Sequence, residues 1–149
     1  EFDRHSLLAH LDNYRQGISV ISARHLLIEH STFQKTDGTA PRAGIDFEPN
    51  KPDEFLTDCV VRNCTFKENA GYGMLFSLTR IGKMPVSIQV EGCMCEQNKA
   101  GSLRIRAPQA EGRIELLGNT LRGPRKLEKG PGLKVEFGPT PSKSTRRKP

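Results

Sequence analysis

Five short segments of the chain alternate apolar with variable residues, and each opens on Gly or Ser. They are residues 17–21 (GISVI), 44–48 (GIDFE), 73–77 (GMLFS), 102–106 (SLRIR) and 132–136 (GLKVE), and their starts are almost evenly spaced. Alternation with period two predicts strands with one buried face. The inward set is then Ile18/Val20, Ile45/Phe47, Met74/Phe76, Leu103/Ile105 and Leu133/Val135. A second series lies upstream of these: residues 28–33 (IEHSTF), 61–66 (VRNCTF), 90–95 (VEGCMC) and 116–121 (LLGNTL). Its last members, Phe33, Phe66, Cys95 and Leu121, recur at a similar interval, and His10 takes the same slot ahead of Phe33. A third marker is Asn at the fourth position before the Gly or Ser: Asn13, Asn69 and Asn98.

Three markers that recur together at a period of about 29 residues indicate a repeat rather than a layered domain. Each unit holds two or three short strands and no helical period. A leucine-rich frame is absent, and the unit is too short for propeller or kelch blades, which need roughly 40–50 residues. A coil that stacks on the next one remains, with strands pairing in parallel at about 4.8 Å. The expected fold is all-β: a right-handed, single-stranded parallel β-helix of about five rungs over residues 1–137, followed by a basic tail over 138–149. Residues 122–131 (RGPRKLEKGP) read as a long turn before the last rung. Ser31, Cys64, Cys93 and Asn119 read as an internal ladder of small and polar residues. The chain opens at Glu1 partway through a repeat, with no basic and apolar leader, so further β-helix is expected upstream.

This frame resembles the right-handed parallel β-helix repeat proteins of the pectate-lyase-like superfamily. The residues that carry the resemblance are 13–20 (NYRQGISV), 43–50 (AGIDFEPN) and 63–73 (NCTFKENAGYG), and it spans roughly 7–137. The resemblance implies secreted or periplasmic proteins acting on polysaccharides, among them lyases, glycoside hydrolases and uronan epimerases. It also implies non-catalytic adhesins and tailspikes. An extracellular or periplasmic location is expected on that ground alone.

Candidate chemistry follows from the outward positions of the first series. Asp46 and Glu48 share a face with Cα atoms about 6.7 Å apart, a spacing compatible with the paired carboxylates of glycoside hydrolysis. They are the catalytic candidates. A lyase or epimerase instead needs a cation against a uronate carboxylate and a base for the α-proton. Arg104 and Arg106 suit the first role, Tyr72 or Lys134 the second. Arg15 and Gln16, just before the first Gly, complete the expected sugar-binding set. The outward columns read Ser19, Asp46, Leu75, Arg104, Lys134 and Ile21, Glu48, Ser77, Arg106, Glu136.

Composition narrows the partners. The net charge is +6, but Lys143, Arg146, Arg147 and Lys148 account for most of it, and the rest of the chain is nearly balanced. Such a tail reads as a solvated end, and nothing in the body has a nucleic-acid-binding pattern, so no nucleic acid is expected. No apolar run approaches the roughly 20 residues of a membrane span, so no membrane is expected either. The expected partner is a polysaccharide or oligosaccharide, with self-association through an uncapped end of the stack. The cysteines lack zinc spacing and read first as buried fillers, with a disulfide left open. No cofactor is expected; Ca²⁺ on Asp46, Glu48 and Asp37 is the one considered.

Overall fold

The computed structural model describes residues 17–141, together with the backbone of Gln16 and of two strands before it. The first coil contributes β1 (Asp3–Ser6), β2 (Ala9–Leu11) and β3 (Gln16–Val20). The second contributes β4 (Ala23–Glu29), β5 (Thr32–Gln34) and β6 (Ala43–Phe47), and the third β7 (Leu56–Arg62), β8 (Thr65–Lys67) and β9 (Tyr72–Ser77). Then come β10 (Val86–Glu91), β11 (Met94–Glu96) and β12 (Gly101–Ala107), and finally β13 (Gly112–Leu117), β14 (Thr120–Leu121), β15 (Arg125–Lys129) and β16 (Leu133–Gly138). Every third strand pairs in parallel with its counterpart one coil away. The result is a β-solenoid of about four turns, against the five rungs expected, with three walls. The first wall runs β1-β4-β7-β10-β13-β16, the second β2-β5-β8-β11-β14, and the third β3-β6-β9-β12-β15.

The register matches the sequence frame through most of the chain. Phe33, Phe66, Cys95 and Leu121 stack in the second wall, with the backbone of His10 in register ahead of Phe33. Ile18, Ile45, Met74 and Leu103 stack in the third. These inward ladders form one core, in which Phe33 lies on Phe66 (5.4 Å between centroids) and Phe47 on Phe76 (4.9 Å). Stacked pairs of this kind add about 0.5–1.5 kcal/mol beyond the area they bury.

The corners turn on single left-handed residues. His30, Asn63, Gly92 and Gly118 occupy one corner with φ of 53°, 55°, 63° and 66°. Lys35, Glu68 and Gln97 occupy the next, with φ of 58°, 56° and 58°. One αL residue between two extended segments redirects the chain without a longer loop. The residue after the second corner repays the geometry with hydrogen bonds along the stack. Asn98 Nδ2 donates to the Phe66 carbonyl (2.9 Å), and Asn98 Oδ1 accepts from Asn69 N–H (3.1 Å) and Asn69 Nδ2 (2.9 Å). Asn69 Oδ1 in turn accepts from Thr36 N–H (3.1 Å). This is the asparagine marker of the sequence; Asn13 falls outside the described residues. Gly44 and Gly73 stand where coils approach closely. A Cβ on Gly44 would meet the Gly73 carbonyl oxygen at 2.8 Å and Phe66 Cδ1 at 2.9 Å.

The small-residue ladder is also present. Ser31, Cys64 and Cys93 are buried, with Asn119 half-buried at its end. Asn119 Oδ1 accepts from Cys93 N–H (2.8 Å). No disulfide joins the four cysteines, all of which are buried. The hydrogen bond with Cys93 holds the Cys64 thiol below its ordinary value, while burial pushes Cys93 well above it and Cys95 up to about 12.

The last coil departs from the expectation. Residues 125–129 form β15, the fifth strand of the third wall, pairing Arg125 with Leu103 and Leu127 with Ile105. Residues 133–138 form β16 and belong to the first wall, pairing Val135 with Ile114. The final coil is shorter: Arg125 follows its register partner Leu103 more closely in sequence than Leu103 follows Met74. The strand was hidden because its inward positions hold Arg125, Leu127 and Lys129, of which only Leu127 is apolar. Residues 133–136 alternate like a third-wall strand, but alternation alone does not say which wall a strand joins.

Asn98→Ala would leave the Asn69 N–H and the Phe66 carbonyl buried without their partner. A loss of roughly 2–4 kcal/mol is expected in urea unfolding. Met84→Ala, at an exposed side chain, should stay within about 0.5 kcal/mol.

Candidate functional site

The outer face of the third wall carries a groove of about 450 Å³. Its floor is built from outward positions of β9 and β12 and of the residue after β6. Leu75, Ser77, Arg104 and Arg106 lie on these strands, with Glu48 just past Phe47. Leu75 pairs with Arg104 and Ser77 with Arg106, so the floor steps regularly from coil to coil. Glu48 is anchored by its own backbone, whose N–H donates to the Val20 carbonyl at 3.0 Å.

One rim is formed by the corner before these strands. Gly71 N–H donates to the Arg42 carbonyl (2.9 Å), and Ala100 N–H to the Gly71 carbonyl (3.2 Å). This corner stack carries Ala40, Pro41, Arg42 and Tyr72 into the groove lining. A Cβ on Gly71 would meet backbone atoms of Arg42 at 2.9 Å, so the corner closes tightly only with Gly there. A second hollow of about 390 Å³ adjoins along the wall, lined by Thr79, Arg106, Pro108, Glu128, Lys129 and Gly130. Arg106 belongs to both, so the two form one trough.

The charges in the trough are unequal. Arg42, Arg104 and Arg106 face a single lining carboxylate, Glu48, in the larger hollow. Arg104 is held from the next coil: its Nε and Nη2 both donate to Glu128 Oε1, at 3.1 and 3.0 Å. That contact is the main reason the exposed Glu128 carboxyl sits below its ordinary value. Arg106 and Arg42 are both exposed.

The structure distributes the expected residues unevenly. Tyr72, Arg104, Arg106 and Glu48 come together in the groove. Asp46 does not: it is 1% exposed, between Ser19 and Leu75 in the column, and is absent from the lining. The expected pair of catalytic candidates is therefore split, since an outward direction does not guarantee contact with solvent. Lys134 is also corrected. It pairs with Arg113 in the first wall and stands on a different side of the solenoid from Arg104. The column continues instead through Lys126, and its neighbour through Glu128 rather than Glu136, which contacts Arg113 at 3.0 Å. Gln16 is placed in register with Ala43, and Arg15 falls outside the described residues. The His25 and His30 side chains are 44% and 55% exposed, with His25 Nδ1 3.4 Å from Asp58 Oδ2. Among the described residues no group of three His, Cys, Asp or Glu side chains converges to hold a metal ion.

Two contributors were missed by sequence reasoning. Arg42 had a signal: it precedes Ala43-Gly44 as Arg15 precedes Gln16-Gly17. Glu128 had none, because its strand was read as a turn. No family model, curated protein or solved structure matches this chain.

The Arg104–Glu128 contact has a pH signature. Because the folded carboxyl lies below its ordinary value of 4.5, the contact is complete above that pH and is lost as pH falls through the lower, folded value. The Arg104 Nε proton, followed by NMR, should therefore titrate with a midpoint below 4.5. A midpoint at or above that value would contradict the pairing.

Proposed function

We propose that this chain binds an acidic polysaccharide along the outer face of its third wall, as a protein of the pectate-lyase-like β-helix kind acting outside the cytoplasm. The observation that carries this reading is the convergence of Arg42, Arg104, Arg106 and Tyr72 on one groove of about 450 Å³. A polymer of uronate or sulfated sugars repeats its charge along its length, as the wall repeats its side chains at intervals of about 4.8 Å. Guanidinium groups make forked contacts with carboxylates and sulfates. A tyrosine offers a flat, partly apolar face to a sugar ring, with a hydroxyl that can hydrogen-bond.

Among enzymatic variants of this reading, the arrangement favours lyase-type over hydrolytic chemistry. A hydrolase needs two carboxylates flanking the bond, and only Glu48 of the expected pair lines the groove. A lyase needs a cation on the uronate carboxylate to acidify the α-proton, and a base to take it. Arg106 and Tyr72 line the same groove and suit those roles. The non-catalytic alternative, a carbohydrate-binding module, needs only the arginines and the aromatic.

Titration calorimetry with polygalacturonate, alginate and uncharged dextran tests this. The two polyuronates should bind with an affinity that falls as salt rises, and dextran should not. Arg106→Ala should weaken binding about tenfold, or about 1.4 kcal/mol. Lys134→Ala, on another wall, should change nothing. Equal binding to dextran, or none to either polyuronate, would overturn the proposal. Growth of unsaturated-uronate absorbance with bound polymer, abolished in Tyr72→Phe, would add the lyase step; its absence would leave a binding module.

A further inference from the structure

The three strands of the last described coil end their walls in different ways. β14 is two residues long. β15 turns Arg125 and Lys129 inward. A very short edge strand and inward-pointing charges are both devices by which a sheet edge resists a further strand. β16 has neither. It is six residues long, and its inward residues are Leu133, Val135 and Phe137, in register with Gly112, Ile114 and Leu116. Among the described residues, no strand pairs with its far side. Leu133 is buried and Val135 partly so, while Phe137 stays 43% exposed even with the Arg125 guanidinium 4.9 Å over its ring.

The backbone of β16 faces both ways in alternation. The Gly132 and Gly138 carbonyls accept from Gly112 and Gly118 N–H, at 3.1 and 2.9 Å. Peptide groups change sides from one residue to the next along a strand, so Lys134 and Glu136 also turn theirs to β13. Leu133, Val135 and Phe137 turn their N–H and C=O groups to the far side.

The sequence of this edge is its own complement. Residues 133–137 read LKVEF. A second copy of the strand, laid antiparallel with Val135 opposite Val135, sets Leu133 opposite Phe137 on the inward face. On the outward face it sets Lys134 opposite Glu136, once on each side of the centre. The residues whose peptide groups face outward from the edge then form the hydrogen-bonded pairs of an antiparallel ladder. Opposite charges across such a pair are favourable, and like charges are not. Lys134 is exposed. Glu136 lies 3.0 Å from Arg113 of its own chain, but its side chain is 51% exposed and open to a second cation.

We propose that two copies of this chain join through β16, antiparallel about Val135, so that their first walls become one sheet. The contact is isologous and closes at two chains. Both interiors lie on the same side of the joined sheet, and the two cores meet through Leu133 and Phe137. The two-fold rotation carries the third walls to opposite flanks, so the two grooves face apart. The inference concerns a different wall from the groove and stands whether or not polysaccharide binds there.

Charge exchange across the contact tests this in the full chain. Sedimentation velocity at about 50 mM NaCl, where exposed charges are only partly screened, should show a two-chain species that grows with concentration. Lys134→Glu opposes acid to acid, and Glu136→Lys opposes base to base. Each alone should weaken association about tenfold. Mixed one to one, the two variants regain both opposite-charge pairs and should associate as tightly as the unaltered chain. Both positions are exposed, so the fold should survive, and unshifted core methyl NMR signals of Ile105 and Ile114 check that it does. A single-chain species at about 1 mM, association undiminished in both variants, or a mixture no tighter than either variant alone would overturn the proposal. So would growth beyond two chains, the mark of head-to-tail stacking.

Discussion

Parallel stacking at about 4.8 Å is the constraint on which the rest of the molecule depends. Each residue meets its counterpart one coil away, so neighbours are set by register rather than by a three-dimensional jigsaw. Like therefore lies on like. Phenylalanine rings stack on phenylalanine rings, Asn98 binds Asn69, and Cys64 and Cys93 share one column. A one-residue slip would turn every inward side chain outward. The buried asparagines oppose such a slip most strongly, because their amides fit only one pairing and would otherwise be buried without partners.

The same constraint decides how much could be seen in the sequence. Phe33, Phe66 and Cys95, or Ile45, Met74 and Leu103, recur because each must fit the same slot, and that recurrence disclosed the fold and most of the core. The last coil obeyed the constraint without displaying it. Arg125 and Lys129 occupy inward slots of the last described coil without being apolar, so the strand looked like a turn. Lys134 was consequently assigned to the wrong wall. Asp46 illustrates another limit. Alternation tells which way a side chain points, whereas its depth depends on segments that need not repeat.

The groove lies where the constraint is weakest. Outward columns have no core to match, and the column through Ser19, Asp46, Leu75, Arg104 and Lys126 changes character along its length. Tyr72, Arg104 and Arg106 were legible because they lie on or beside recognised strands. Glu128, which anchors Arg104, was not, because its strand was not recognised. The solenoid thus separates two tasks: the interior holds the register, and the exterior is free to carry chemistry.

The coils also shorten along the chain. Leu26, Cys59, Ile88, Ile114 and Val135 are successive register partners in the first wall, and each step between them is shorter in sequence than the one before. The shortening falls in two sets of links: those between the second and third walls (35–42, then 68–71, 97–100 and 122–124) and those between the third and first walls, which after the two-residue link 21–22 span 48–55, 78–85, 108–111 and 130–132. These links break no ladder when they change length, and loop closure depends only weakly on length. The molecule therefore has uneven relief: the two long links from the third wall to the first stand beside the second and third coils, and the links on either side of them are short. A polymer lying on the third wall would be flanked beside the second and third coils and less obstructed on either side, so its position along the protein would be set by the banks before any side chain touched it.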